Sequence, residues 1–409
     1  MYQSLAGRRR TSTVLIVAGL AAALAFSLGV LVTSARADGP GQGAPWAASL
    51  GDSYISGEAG RWAGNTNMSS STIDALGATA YDDNEAGNGE LISGCHRSKA
   101  AEIKIGGEVS SVNLACSGAK TYTVAGSPFK PGIDFYSAGG QEGQALILQH
   151  FAASHNVKLI ALSIGGNNFN FASIVQTCVT DWLTSPWWWP HYCKEDSSVT
   201  SNFTSSNVTK VKGEITTAIR NVAQAMTNAG YSSSQYTILV QDYPSPIPLG
   251  SGFRYSQYGF TRQEVAGCGF WNADANYANE KMLPTIAGAV FGAASAAGLP
   301  NVKTMELGSA FNGHRLCEKG VGLLEEEGLS SWTNPGAVDK SEWINQVRTV
   351  TAIFPPYEIQ EDLHPNYWAQ LALRNCLGQA YNEGTPRGGT CTISATGLNS
   401  AGEPNMSLH

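Results

Sequence analysis

Attack on a carbonyl carbon needs a hydroxyl presented at the end of a sheet and free backbone N–H groups facing the oxygen that becomes negative. The segment Leu50-Gly51-Asp52-Ser53-Tyr54 has the form of a strand-turn-helix junction that would present Ser53 in this way. The apolar run before it supplies a strand, Gly51 permits a tight turn, and Asp52 can cap the turn that follows. Taken alone, Gly-Asp-Ser is also an ordinary turn. Three other segments bear on it: Asn113-Leu114-Ala115-Cys116-Ser117-Gly118-Ala119, Gly165-Gly166-Asn167-Asn168 after the apolar run Leu159 to Ile164, and Glu361-Asp362-Leu363-His364-Pro365. Each has a bland reading by itself, as a turn glycine, an Asn/Gly turn, and a His-Pro pair ahead of a helix.

In their order and spacing the four segments resemble the blocks of the SGNH/GDSL hydrolase superfamily, in its secreted actinobacterial esterase/lipase form. The resemblance runs from about Trp46 to Tyr381 and extends to Asp242-Tyr243-Pro244-Ser245-Pro246 and Gly313-His314-Arg315-Leu316-Cys317. It implies Ser53 as nucleophile and His364 as general base. The oxyanion hole would comprise the N–H groups of Ser53 and Gly118 and the side-chain amide of Asn167. Glu361 occupies the position of the acid that orients the imidazole, with Asp362 or a backbone carbonyl as alternatives. The chain departs from the family in Tyr54, where many members have Leu, and in Asn168, where an aspartate is usual; Asn can accept the same kind of hydrogen bond without its charge assistance. The implied fold is a three-layer α/β/α sandwich on a mostly parallel sheet, decorated by disulfide-bonded insertions.

The elements that must position these residues are legible as apolar runs alternating with helical patterns, the mark of a parallel sheet with helices on its faces. Strands are predicted at Trp46 to Leu50, Val109 to Leu114, Val157 to Ile164, Tyr236 to Gln241 and Val302 to Leu307. Helices are predicted at Gln144 to His155, Val208 to Asn228, Ala273 to Ala297 and Pro365 to Tyr381, the last with Pro in its first turn. The stretches 59–94 and 181–207 read as surface insertions. One hydrolase domain over 38–391 is expected, followed by a flexible polar tail over 392–409.

Residues 1–37 read as a cleaved export signal: three arginines, an apolar run from about Val14 to Val32, and Ala35-Arg36-Ala37. An uncleaved anchor is the competing reading. Removing this segment removes four arginines and no acids, taking the net charge from −7 to −11, so nucleic acid is not an expected partner. All eight cysteines lie after it, and an even count in an exported chain argues for four disulfides. The family resemblance implies pairing of neighbours, Cys95 with Cys116, Cys178 with Cys193, Cys268 with Cys317 and Cys376 with Cys391. No Cys-x-x-Cys or His-Glu-x-x-His occurs, so neither metal nor cofactor is expected. The absence of Gly-x-Ser-x-Gly disfavours the α/β-hydrolase class, and no P-loop or dinucleotide fingerprint supports nucleotide use.

The expected function is a secreted esterase or lipase acting, as a monomer, on small-molecule or lipid esters. A secreted carbohydrate- or lipid-binding protein of the same fold without turnover is the alternative, against which stands the full Ser, Gly, Asn and His set. The segment Trp182, Trp187, Trp188, Trp189 and Tyr192 has two readings: an apolar lip that grips acyl chains or settles transiently on a lipid surface, or plain cover for the core.

Overall fold

The computed structural model describes residues 38–348 and 356–409; the expected export signal lies outside them. The five predicted strands are present as β1 (Pro45–Gly51), β2 (Ser110–Asn113), β3 (Asn156–Ser163), β4 (Thr237–Gln241) and β5 (Val302–Glu306), with β1, β3 and β4 the most apolar. Two more, β6 (Gly389–Leu398) and β7 (Pro404–Leu408), complete a seven-stranded sheet of order β2-β1-β3-β4-β5-β6-β7. All neighbours pair in parallel except the last, β6 with β7.

The central strands carry Val, Ile, Leu and Ala on both faces because both faces are covered, as parallel sheets require; Leu159, Ile160, Ala161 and Leu162 of β3 are all fully buried. The covering helices are α2 (Gln144–Ala152), α3 (Phe171–Thr184), α4 (Ser205–Asn228), α5 (Asn272–Tyr277), α6 (Leu283–Ala297) and α7 (Tyr367–Tyr381), with a one-turn helix α1 (Ser53–Ser56) directly after β1. Among these, α2, α4 and α6 pack side by side, while α7 packs on β6 and β7. The architecture is a three-layer α/β/α sandwich. The predicted helix over Ala273 to Ala297 is interrupted by one wide π-helical turn, Ala278–Met282.

Two expectations change. The chain over 392–409 is not a flexible tail but most of an antiparallel β6–β7 hairpin on the sheet edge. Its small polar residues face outward, while Pro404, Met406 and Leu408 alternate inward and are buried, and Cys391 is tied to Cys376 of α7. Pro365 lies outside α7: Asn366 is the cap, its side chain accepting from the N–H groups of Trp368 and Ala369 at 3.1 and 3.4 Å. The four disulfides join Cys95–Cys116, Cys178–Cys193, Cys268–Cys317 and Cys376–Cys391. No helix among the described residues is long and apolar enough to cross a membrane.

Candidate active site

The strand order reverses direction at β1, with β2 on one side and β3 on the other, and the loops leaving a parallel sheet diverge at such a point to leave a crevice. Ser53 follows β1, Gly118 lies beyond β2, and Asn167 follows β3. All three therefore arrive at the same rim because of chain direction and strand order, before any side-chain contact is considered.

At the end of β1, Gly51 has φ of 139°, and a Cβ there would lie 1.9 Å from the carbonyl oxygen of Ser163, so only glycine makes this turn. Its peptide groups are held by Gln144, whose Oε1 accepts from Gly51 N–H at 2.8 Å and whose Nε2 donates to Gly51 C=O at 2.9 Å. Asp52 then caps α1, accepting from Tyr54 N–H at 3.3 Å, and its other oxygen accepts the Tyr243 hydroxyl at 2.5 Å. Gly166 N–H donates to the same Tyr243 oxygen at 2.9 Å, which joins the serine turn to the Asn167 turn. Burial pushes the Asp52 carboxyl up to about 7, against the bonds from Tyr243 and Tyr54.

His364, 311 positions away, places Nε2 2.7 Å from Ser53 Oγ. Its Nδ1 lies 2.9 Å from the carbonyl oxygen of Asp362. A carbonyl can only accept, so Nδ1 carries the proton and Nε2 is free to take one from the serine. The loop reaches this geometry because Leu363 adopts φ of 59°, which turns the Asp362 carbonyl back under the ring two residues on. Backbone bonds to Asn345 on both sides, and the Tyr54 hydroxyl donating to Leu363 C=O at 3.2 Å, fix the turn. Burial lowers the His364 pKa below its ordinary 6.5, and the nearby negative charge of Glu58 opposes that only in part.

Glu361 does not orient the imidazole. It closes the short 3-10 turn Ile359–Glu361 by folding back onto Glu358 N–H at 3.1 Å, and its carboxylate also accepts from Trp62 Nε1 at 2.8 Å and the Tyr81 hydroxyl at 2.6 Å. Burial, helped by the charge of Glu58, pushes it up to about 7. Asp362 turns its side chain to Arg348 N–H at 3.0 Å, so of the acceptors foreseen it is the backbone carbonyl that meets Nδ1.

Gly118, at φ of 79°, sits in the loop pinned by the Cys95–Cys116 disulfide and by Cys116 N–H donating to Gly51 C=O at 3.1 Å. Its own N–H has no partner among the described residues. Asn167 donates one amide hydrogen to Ala119 C=O at 2.9 Å, which leaves the other free, and it lines the same pocket as Ser53. Asn168 braces the Asn167 turn against Thr121 and Glu214. It accepts from Thr121 N–H at 3.1 Å and donates to Thr121 Oγ1 at 2.7 Å and Glu214 Oε2 at 2.8 Å, with Glu214 supplying the charge.

From the Ser53 pocket, Phe171, Leu283 and Ile286 lead into an adjoining apolar trough walled by Ile174, Val175 and Ile247. Of the tryptophan segment, Trp182 is buried and packs on Trp271, whereas Trp187, Trp188 and Trp189 are 58%, 70% and 79% exposed and Trp187 meets Tyr258 edge-on.

Sequence reasoning passed over Tyr243, although its segment was among those resembling the family, and it passed over a buried ion pair near the base. Glu58, fully buried, contacts His96 Nδ1 through Oε1 at 2.7 Å and accepts from Gln360 through Oε2 at 2.8 Å. Burial opposes the charge on His96, but the bond and charge of Glu58 outweigh it and raise the imidazole to about 9. No motif marks these two residues.

No protein-family model matches the chain, and no curated protein does. Among solved structures it is similar to an extracellular lipase from Streptomyces rimosus, at 17% identity over 80% of this chain and 95% of that one, with a TM-score of 0.41. It is similar to phospholipase A1 from Streptomyces albidoflavus NA297 at 18% identity over the same shares, with a TM-score of 0.42. A family two carbohydrate esterase from Clostridium thermocellum follows at 10% identity, covering 83% of this chain and 63% of that one, with a TM-score of 0.34. Likeness at this level does not extend to shared activity. In its α/β/α architecture and in the order of its four motif segments the chain resembles the SGNH/GDSL hydrolase superfamily.

Proposed function

We propose that the protein is a secreted serine hydrolase of carboxylic esters. The observation that carries the reading is the 2.7 Å approach of His364 Nε2 to Ser53 Oγ, at a switch point of a parallel sheet and with Nδ1 held by a carbonyl. In the first half-reaction Ser53 Oγ bonds to the ester carbonyl carbon as its proton passes to His364 Nε2, and that proton leaves with the alcohol when the C–O bond breaks. Water then attacks the acyl-enzyme, giving its proton to the same nitrogen, and Ser53 departs with it. The oxygen that turns negative in each half faces the N–H groups of Ser53 and Gly118 and the free amide hydrogen of Asn167. The imidazolium formed between the steps is stabilised by the Asp362 carbonyl dipole and by the charge of Glu58, which the positive charge of His96 beside it partly cancels.

The trough beyond Phe171 and Leu283 supports an acyl chain rather than a sugar as the part of the substrate held on the acid side. Trp187, Trp188 and Trp189 offer an apolar surface for transient contact with lipid. Export rests on residues 1–37 and the four disulfides, and the enzyme acts as a monomer. The test is turnover of p-nitrophenyl esters from acetyl to palmitoyl. Wild type is expected to hydrolyse them with a preference for longer chains, and Ser53→Ala to fall to background while remaining folded; unimpaired turnover in Ser53→Ala ends the proposal.

A further inference from the structure

Glu58 and His96 form an ion pair almost wholly out of water, with side chains 0% and 7% exposed. Such a pair adds little to stability, because taking two charges out of water offsets most of their attraction. Both residues are tied to the catalytic loops through their backbones. Glu58 follows α1, the helix of the nucleophile, and its N–H donates to Ser53 C=O at 3.1 Å. His96 follows Cys95, which is bonded to Cys116 of the Gly118 loop and whose C=O accepts from Ser117 N–H at 3.0 Å. The two segments are packed closely: Ser98 N–H donates to Ser56 C=O at 2.9 Å, and a Cβ on Gly57 would lie 2.7 Å from Ser98 Cβ.

At the Glu58 carboxylate three segments of the active site meet. Oε1 is 2.7 Å from His96 Nδ1, and Oε2 accepts from Gln360 Nε2 at 2.8 Å. Gln360 stands four residues ahead of His364, and its amide also donates to Gly94 C=O at 2.9 Å. Lys130, whose side chain runs beside Gly118, donates to the same carbonyl at 2.5 Å. His96 is fixed in turn. It adopts φ of 45°, which few residues other than glycine occupy, its N–H donates to Glu90 Oε1 at 2.6 Å, and its ring stacks on Tyr81 with centroids 4.4 Å apart. Burial alone would raise the Glu58 carboxyl, but the bond and charge of His96, the charge of His364 and the Ser117 hydroxyl together hold it below its ordinary 4.5. Glu58 is therefore ionised at neutral pH.

We propose, resting on the hydrolase reading above, that Glu58 is a positioning residue for ester hydrolysis: its buried carboxylate clamps the Ser53 turn, the Gly118 loop and the turn ahead of His364 together and turns a negative charge toward the base. It thereby supplies part of what the acid of a triad would. The Asp362 carbonyl fixes the tautomer of His364 but brings no full charge, and Glu58 brings one through the side that faces Gln360. His96 holds that charge in place and cancels part of it. The other charges around the pair are Glu90 and Glu358 beside His96, Lys130 beside Gly118, and Glu361; all stay in place in the variants below. An opposite charge at close range favours the charged form of its neighbour by about ten- to a thousandfold, and the partial cancellation by His96 leaves the low end of that range.

Glu58→Gln keeps the shape and removes the charge: the amide oxygen accepts from Gln360, and the NH2 group donates to a His96 ring that has given up its Nδ1 proton. With p-nitrophenyl butyrate, kcat is expected to fall about tenfold while KM stays within about twofold, and the acid limb of kcat/KM to move about one pH unit lower. A merely structural role would lower the melting temperature and leave the limb where it was. Gln360→Ala, at an exposed position, cuts the tie to the turn ahead of His364 and is expected to lower kcat about threefold with KM unchanged; it decides the matter if Glu58→Gln does not fold. In the wild type, 15N-labelled His96, assigned by its loss in His96→Asn, is expected to carry both ring protons at about pH 7.5. A neutral His96 there, a wild-type kcat in either variant, or an unmoved acid limb in Glu58→Gln overturns the proposal. A wild type that hydrolyses no ester ends the hydrolase reading and this one together, whereas an active wild type beside unaffected variants ends this one alone.

Discussion

Replacing Glu361 with Gln separates the geometry seen here from a Ser-His-acid triad. The carboxylate accepts from Glu358 N–H and Trp62 Nε1 on Oε2 and from the Tyr81 hydroxyl on Oε1. A glutamine of the same length can put its carbonyl where Oε2 stands and keep the first two bonds. Its NH2 group then faces the Tyr81 oxygen, which can rotate its hydrogen away and accept. At most one bond changes character, so the expected stability loss is about 1 kcal/mol, read from urea unfolding. Because the imidazole is held by the Asp362 carbonyl at 2.9 Å, kcat/KM for a p-nitrophenyl ester should stay within about threefold of wild type. Were Glu361 the acid of a triad, neutralising it would cost on the order of 10⁴ in kcat, through the wrong imidazole tautomer. The two expectations differ by more than three decades, far beyond any effect of slight destabilisation. A loss of 10³ or more in a variant that unfolds normally would refute the backbone-carbonyl assignment.

Three other outcomes follow from the same geometry. Asn167→Ala should lower kcat by about 10² to 10³ with little change in KM, since its free amide hydrogen matters only once the carbonyl oxygen becomes negative; an unchanged kcat would remove Asn167 from the site. The acid limb of kcat/KM should fall below pH 6.5, because burial holds the His364 pKa under that ordinary value; a limb above it would contradict the burial argument. Stability should decline toward alkaline pH. Burial lifts Asp52, Asp242 and Glu361 to about 7 and Glu102 and Asp362 to about 8, from ordinary values of 3.8 or 4.5, and Glu58 lifts His96 to about 9 from 6.5. The folded chain therefore holds more protons than the unfolded one. That stabilisation is complete below the ordinary carboxyl values and is lost as pH rises through about 7 to 9. Melting temperatures compared at about pH 5.5 and pH 8.5 should be higher at the acid value, and the reverse order would show that these carboxyls are solvated.

The hairpin over 389–408 shows why one part of the fold was hidden. The hairpin at the sheet edge keeps one face in water, so β6 and β7 carry the small polar residues of a tail, and only in β7 does burial alternate along the strand. The central strands were legible for the opposite reason: buried on both faces, β1, β3 and β4 stand out as predominantly apolar runs.

By itself the sequence determined what depends on local backbone and on chain order. Gly51 before Ser53 could be read from the strand-turn-helix form of its segment, whereas the glycine of the Cys116 loop, the asparagine after β3 and the histidine ahead of α7 could be named because their segments, in order and spacing, resemble the SGNH/GDSL blocks. Only the packed structure decided which groups meet across the gaps. Whether His364 leans on a side chain or a carbonyl depends on a left-handed residue at Leu363 and on the turn that draws Glu361 toward Trp62 and Tyr81. The Glu58–His96 pair likewise exists only as a distance. Such contacts are set by how distant segments pack, and residue type and spacing along the chain do not encode that packing directly.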